Sequence, residues 1–193
     1  MRAREGKKTS SFVETARTIV WAVVIAVAIR TVGVEPFNIP SGSMIPTLRI
    51  GDLILVNKFK YGVKLPIIDY ELVSINKPTR GDVAVFRWPR DESLDYIKRV
   101  VGLPGDVIQY KDKQLKVNDV IITKLRTADY LDPSTFKVSQ QFEEIFQDTR
   151  YTVLNDIGVV DFYFDEKIFK NHCNRIVNGI SCVVPENHYF VLG

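Results

Sequence analysis

Histidine and cysteine are scarce in this chain, which narrows the chemistry available to it. Among 193 residues there are two histidines, His172 and His188, and two cysteines, Cys173 and Cys182. A serine–histidine–acid triad is poorly supported, because neither histidine has a convincing acidic partner in the sequence. A zinc site is also poorly supported, because His172 is the one evident ligand beside the cysteines. We therefore expect neither a metal nor a cofactor.

A strong excess of one charge is missing as well. The formal net charge is +3, so the chain lacks the basic field that nucleic-acid-binding proteins usually carry, and no nucleic-acid partner is expected. We find no internal repeat and no low-complexity segment. The 46% hydrophobic and 25% charged residues are typical of a folded protein. Eleven Phe and eight Tyr, with many Val and Ile, favour strands and predict a mostly β fold.

An apolar run near the N terminus, Thr18–Ile29, is interrupted by Arg30 and continues to Val34. A cleavable secretory signal, a buried helix of about 12 residues and a membrane span with Arg30 at the interface all remain open. No small-x-small cleavage site closes the run, so the span is favoured. It predicts a cytoplasmic basic tail at 1–16, a transmembrane anchor at 17–34 and an extracytoplasmic remainder.

The rest of the chain has the pattern of short strands bounded by glycine, proline and polar turns. Residues 35–106 are predicted to form a catalytic core to which 184–193 returns as a strand. Residues 107–183 are predicted to form an inserted β-rich lobe, in which 126–144 is poorly patterned and expected to be loop. The strands predicted in these segments are 52–58, 82–87, 96–101, 107–110, 114–117, 120–123, 150–154, 159–164 and 188–193.

The two cysteines flank a hairpin signal, Asn178-Gly179 between apolar residues. With these two residues at the centre of a two-residue turn, Cys173 would lie opposite Val184 rather than Cys182. A disulfide between Cys173 and Cys182 therefore requires a bulge or a looser turn.

A candidate nucleophile lies in the segment Pro40–Thr47. Ser41 and Ser43 flank Gly42, and prolines stand near both ends, which predicts a fixed, irregular loop. Most strings of this kind are ordinary turns. A serine in such a loop becomes a nucleophile only when a base is available to take its proton.

Lys98 is a candidate for that base. The two-residue period of a strand puts Tyr96, Lys98 and Val100 on one face, where burial would lower the lysine pKa and favour the neutral amine. A lysine that extends along a strand edge into water is the commoner alternative. Local pattern alone does not decide between them.

Five segments together resemble bacterial type I signal peptidases (leader peptidase, S26 family). They are Glu35–Leu48, Gly51–Val56, Arg80–Phe86, Asp95–Asp106 and Pro185–Gly193. The resemblance implies a mostly β, two-lobed catalytic domain after one N-terminal transmembrane helix. It also implies that the chain is truncated before the last family motif, an Asp-Asn segment with a serine, an aspartate and an arginine. Some Gram-negative members carry two spans, whereas one is visible here.

The resemblance also assigns roles to individual residues. Ser43 would be the nucleophile and Lys98 the general base, with the Ser43 N–H and the Ser41 hydroxyl holding the oxyanion. Shallow pockets would admit small substrate side chains and explain cleavage after small-x-small, typically Ala-x-Ala. The residues that match the pocket positions are Phe37, Ile39, Pro40, Met44, Leu48, Ile54, Val85, Tyr96 and Ile97.

The function implied is a membrane-bound serine endopeptidase that removes signal peptides from exported preproteins. Its partners would be those signal peptides, the lipid bilayer of the bacterial inner membrane and the secretion translocon. Two other classes remain open: a self-cleaving Ser/Lys protein of the repressor type, and a non-catalytic, membrane-tethered β module or inactive fragment. Acylation of Ser43 by a penem or lipopeptide inhibitor would separate an enzyme from a binding module.

Overall fold

A computed structural model describes residues 6–32, 34–57, 60–64, 71–156, 158 and 171–193. Over these residues the chain forms one α-helix, one short 3₁₀ helix and fifteen strands, so the predicted mostly β fold is confirmed. The chain divides into two compact units, Met1–Phe37 with Leu55–Lys77, and Asn38–Ile54 with Pro78–Gly193.

Helix α1 spans Gly6–Val32 and therefore begins inside the predicted basic tail. No proline or internal glycine stops the helix between Lys7 and Val32, which explains its early start. In the described part of the chain, no helix combines the length and the apolar character that a membrane crossing requires. The predicted span stays a prediction.

Two short strand pairs follow α1 in the chain. Strand β1 (Val34–Asn38) pairs with β2 (Leu53–Asn57), and β3 (Gly62–Lys64) pairs with β4 (Glu71–Ser74). The short 3₁₀ helix η1 (Gly42–Met44) lies in the connection between β1 and β2. The predicted nucleophile, Ser43, therefore lies in the connection between β1 and β2.

A three-stranded antiparallel sheet carries the candidate base. Its order is β15 (Phe190–Leu192), β6 (Asp91–Gly102) and β5 (Val83–Trp88). The register pairs Ala84 with Lys98 and Leu192 with Arg99. Strand β6 is exposed at its start and fully buried over its last three residues, so the candidate base lies where the strand enters the protein.

A five-stranded sheet has the order β13 (Cys173–Ile176), β14 (Gly179–Val183), β7 (Val107–Lys111), β8 (Gln114–Val117) and β9 (Val120–Ile121). The turns Asp112-Lys113 and Asn118-Asp119 have positive φ at both central residues, the conformation of tight type I′ hairpins. The short strands predicted after 107 are thus confirmed, whereas the strand predicted at 159–164 lies outside the described residues.

A second three-stranded sheet replaces the loop expected at 126–144. Its strands are β10 (Thr123–Leu131), β11 (Val138–Phe146) and β12 (Thr149–Asn155), paired in that order. The loop prediction is wrong because β10 is exposed along most of its length. An exposed strand has no need of alternating apolar residues, and cross-strand pairing forms it instead.

The cysteine hairpin turns one residue earlier than predicted. Ile176 pairs with Gly179, so Val177 and Asn178 form the turn and Cys173 lies directly opposite Cys182. The structure joins the two cysteines by a disulfide, with a Cα–Cα distance of 4.0 Å. Gly179 lies in β14, where a Cβ would lie 2.1 Å from the Tyr110 carbonyl oxygen on β7. Close strand approach, rather than the turn, therefore explains this glycine.

The main apolar core of the second unit crosses the boundary predicted at 106/107. Val101 and Val184, from the predicted catalytic core, pack with residues of the predicted lobe. Those lobe residues are Ile108, Leu115, Val117, Ile122 and Phe146. One continuous core thus supports the sheet that carries Lys98, although the domain division itself stays a prediction.

Candidate active site

Ser43 lies on a single turn of 3₁₀ helix held between extended residues. Ser41 precedes the turn with φ −139° and ψ 154°, and Ile45 follows it with φ −65° and ψ 138°. The Ile45 N–H donates to the Gly42 carbonyl at 3.2 Å, which closes the turn. Met44 is buried and anchors the turn to the protein, leaving Ser43 half-buried. The loop is therefore fixed, as the glycine and prolines predict.

Lys98 reaches this loop from β6, 55 residues later in the chain. Its Nζ donates a hydrogen bond to Ser43 Oγ. The side chain is half-buried, and desolvation lowers the pKa of Lys98 from its ordinary value near 10.5. A lowered pKa increases the neutral fraction, the form that can accept a proton. This pair is chemically capable of serine activation by an amine.

Ser41 lies beside the same hydroxyl. Its Oγ is 3.4 Å from Ser43 Oγ, within hydrogen-bonding reach. A second hydroxyl at this position can donate to an oxygen that gains negative charge at the reacting carbon. The structure thus brings together the three side chains predicted to act on the substrate carbonyl.

Gly193 approaches the Lys98 side chain closely. A Cβ on Gly193 would lie 2.6 Å from Lys98 Cδ and 3.1 Å from both Lys98 Nζ and Met44 Sδ. A side chain at position 193 would therefore displace the Lys98 side chain. No local sequence pattern indicates this contact.

The sequence of the chain matches one known protein family. The pattern of the family described as "Signal peptidase, peptidase S26" covers residues 12–193. The chain belongs to the signal peptidase S26 family.

Curated relatives of this S26 chain carry the name "Signal peptidase I". The protein from Pseudomonas fluorescens is 39% identical over 188 residues, which are 96% of this chain and 60% of that protein. The protein from Pseudomonas aeruginosa is 36% identical over 187 residues, with 96% and 60% of the two chains covered. One from Buchnera aphidicola subsp. Schizaphis graminum is 39% identical over 88% of this chain and 62% of its own. The chain thus spans about 60% of the length of these relatives.

The residues predicted to line the S26 substrate pockets differ in burial. Ile39, Met44 and Ile97 are 1%, 5% and 3% exposed, whereas Pro40 is exposed. Half-buried side chains are those of Phe37, Leu48, Ile54, Val85 and Tyr96. Buried members support the loop and the strand, so the half-buried ones are better placed to meet a ligand.

Three of these residues lie on the strand pair that carries Lys98. Val85 pairs with Ile97 across β5 and β6, one step from the pair Ala84–Lys98. The Tyr96 ring packs at 4.7 Å from Trp88 and edge-on at 6.3 Å from Phe86. Pocket roles stay predictions for all nine residues.

A pocket of about 170 Å³ opens beside Ser43. Its wall includes Met44, Thr47, Arg99, Glu144 and Tyr151. The charged and phenolic members of this wall are absent from the predicted site. Glu144 lies in the segment expected to be loop, Arg99 lies on the other face of β6, and Tyr151 lies on a predicted strand to which no site role was assigned. Within the described ranges, no group of three or more His, Cys, Asp or Glu side chains is placed to hold a metal ion.

Proposed function

We propose that this chain is the catalytic part of a serine endopeptidase that removes signal peptides from exported preproteins. The observation that carries the proposal is the hydrogen bond from Lys98 Nζ to Ser43 Oγ at a half-buried site. Family membership and the name of the relatives support the substrate class.

The reaction proceeds by acyl transfer. Neutral Lys98 takes the hydroxyl proton while Ser43 Oγ attacks the scissile carbonyl carbon, and the carbonyl oxygen becomes an oxyanion held by the Ser43 N–H and the Ser41 hydroxyl. Lys98 then gives its proton to the leaving nitrogen, the C–N bond breaks, and an acyl-enzyme remains. Water, deprotonated by Lys98, hydrolyses the ester and restores Ser43.

The substrate binds as an extended strand beside the dyad. Main-chain hydrogen bonds hold such a strand, and alternate side chains enter small pockets. Shallow pockets would accept alanine and exclude bulky residues, and this selection is the basis of the proposed cleavage after small-x-small sites.

The proposed location is the bacterial inner membrane. Residues 17–34 anchor the chain in a single pass, with the N terminus in the cytoplasm and the catalytic unit outside it. Basic residues outnumber acidic ones in the first 17 positions, which favours this orientation. The bilayer and the translocon, which presents preproteins, are the further partners.

Cleavage of a preprotein is the direct test. The full chain in vesicles is expected to convert a preprotein with an Ala-x-Ala site into one product whose N terminus follows the second alanine. Replacing that alanine by phenylalanine should reduce kcat/KM by at least about 100-fold, because a shallow pocket rejects the ring. Acylation of Ser43 by a penem with no cleavage of any preprotein would contradict the substrate assignment. Alkaline extraction of the same vesicles tests the anchor.

The pH dependence tests the base. Because only the neutral amine accepts a proton, kcat/KM should fall about tenfold per pH unit below the pKa of Lys98 and level off above it. Desolvation lowers this pKa, so the plateau should begin below pH 10.5. A profile that stays flat into acid pH would exclude a lysine base.

A further inference from the structure

A row of polar side chains crosses the sheet β10–β11–β12. Lys124 pairs with Glu144, and Glu144 pairs with Tyr151, so three neighbouring strands contribute directly opposed residues. On β11, the positions two before and two after Glu144 are Phe142 and Phe146, whose rings face cations at 4.8 Å. The polar row is therefore set into an aromatic face.

Glu144 is the centre of this row. Glu144 is 6% exposed, and its Oε1 lies 3.8 Å from Lys124 Nζ. Tyr151 lies directly opposite Glu144 on β12, and the pKa of its hydroxyl is raised because it is desolvated and interacts with the Glu144 carboxylate. Lys124 is held in turn by the Lys113 carbonyl at 2.8 Å and by Asn155 Oδ1 at 3.1 Å. Every member thus has a fixed partner.

Tyr151 connects the row to the strand of the candidate base. Arg99 Cζ lies 4.5 Å from the centre of the Tyr151 ring. The same guanidinium donates to the Gly81 carbonyl at 2.8 Å, so two contacts fix its position. Arg99 directly follows Lys98 on β6, and its side chain lies on the opposite face.

Burial makes this arrangement costly. Desolvation raises the pKa of Glu144, and Lys124 with the Tyr151 hydroxyl offsets only part of that effect. An apolar row of similar volume is often at least as stable as a buried ion pair, so stability alone is a weak reason for the row. Directional contacts, unlike apolar ones, fix one geometry.

We propose that Glu144 is a positioning residue for Lys98. It orients Tyr151, whose ring holds the Arg99 guanidinium and thereby fixes the segment of β6 that presents the Lys98 amine to Ser43. This role rests on the proposed cleavage of preproteins, but the position of the Lys98 amine can be measured in the absence of any substrate.

Two conservative substitutions interrupt the row while keeping its shape. Glu144→Gln removes the carboxylate charge, and Tyr151→Phe removes the hydroxyl. Each should lower kcat for a preprotein at least about tenfold with KM changed less than about twofold, because small misplacements of reacting groups are costly. The double variant should be little worse than either single one, since all act through one chain of contacts. Glu143→Gln, on the opposite face of β11, is the matched control and should behave as wild type.

Two readouts distinguish positioning from folding and from the proposed function. Penem titration counts the molecules that acylate, and it should give an unchanged fraction with a slower rate. NMR of lysines labelled at Cε should show the pKa of Lys98 rising in Glu144→Gln and in Tyr151→Phe, because a displaced amine is more hydrated. Loss of charge alone would lower that pKa in Glu144→Gln and leave Tyr151→Phe unchanged.

Unchanged kcat and an unchanged Lys98 signal in an active wild-type background would overturn the positioning role. The positioning role would also be overturned if the variants lost activity only because a smaller fraction of molecules is acylated by penem. A fall of the Lys98 pKa in Glu144→Gln would overturn it as well. If wild type cleaves nothing but the Lys98 pKa still rises in both variants, the proposed function fails while the positioning role stands.

Discussion

Lys98→Arg is expected to inactivate the protein as completely as Ser43→Ala, by roughly 10⁴-fold or more in kcat/KM for a preprotein. Arginine keeps the positive charge and can still donate a hydrogen bond toward Ser43. Its guanidinium stays protonated at any working pH, however, so it cannot accept the serine proton. The measurement is cleavage of a preprotein by the full chain in detergent, followed at high enzyme concentration to detect residual activity.

Lys98→Arg distinguishes a residue that accepts the serine proton from one that only supplies a positive charge. If Lys98 only stabilised negative charge, Lys98→Arg would retain much of the activity, whereas Lys98→Ala would not. The matched control is Lys116→Arg on β8, where the lysine pairs with exposed Asp119 at 2.7 Å and should be replaceable without loss. Substantial cleavage by Lys98→Arg would refute proton transfer to this residue.

Local patterns account for part of the fold and for one face of the site. Alternation along β6 predicts Tyr96 and Lys98 on a common face, and glycine with proline predicts the fixed loop around Ser43. Neither pattern predicts that the loop and the strand are in contact, because Ser43 and Lys98 are 55 residues apart in the chain. The resemblance to a family, rather than periodicity, predicts that pair.

The sequence prediction is wrong where a strand or its register depends on pairing with other strands. Strand β10 has no fully buried residue, so its sequence has no apolar alternation, and β11 forms a strand largely through pairing on both sides. The hairpin at Cys173 shows the same limit. Asn178-Gly179 predicts the turn centre, but Gly179 pairs with Ile176 and packs closely against Tyr110 of β7, so the turn lies one residue earlier.

The roles of Glu144 and Gly193 could not be predicted from the sequence, for a related reason. The role proposed for Glu144 depends on two strand pairings and on the packing of Tyr151 against Arg99. The signal for Gly193 is only a glycine after an apolar strand. In both cases the information lies in how distant segments approach, which composition and spacing do not encode.

Gly193→Ala is expected to lower kcat by about 100-fold while leaving the melting temperature nearly unchanged. The added methyl would lie 2.6 Å from Lys98 Cδ, well inside contact distance, and 3.1 Å from Nζ. The lysine side chain is the flexible partner, so it moves rather than the backbone. The amine then loses its hydrogen bond to Ser43 and becomes more hydrated, which raises the pKa of Lys98.

Gly102→Ala provides the contrast, because a Cβ there meets Ile108 and Phe190 at 2.8 to 2.9 Å rather than the lysine. This variant should unfold at lower temperature, since overpacking a core typically costs about 1–3 kcal/mol, and its loss of activity should follow its loss of folded molecules.

Penem titration and a pH profile distinguish displacement of Lys98 in Gly193→Ala from loss of folded protein in Gly102→Ala. In Gly193→Ala the fraction that acylates should persist while the acid limb of kcat/KM moves to higher pH. An unshifted acid limb with full activity would show that the close approach of Gly193 does not hold the base in place.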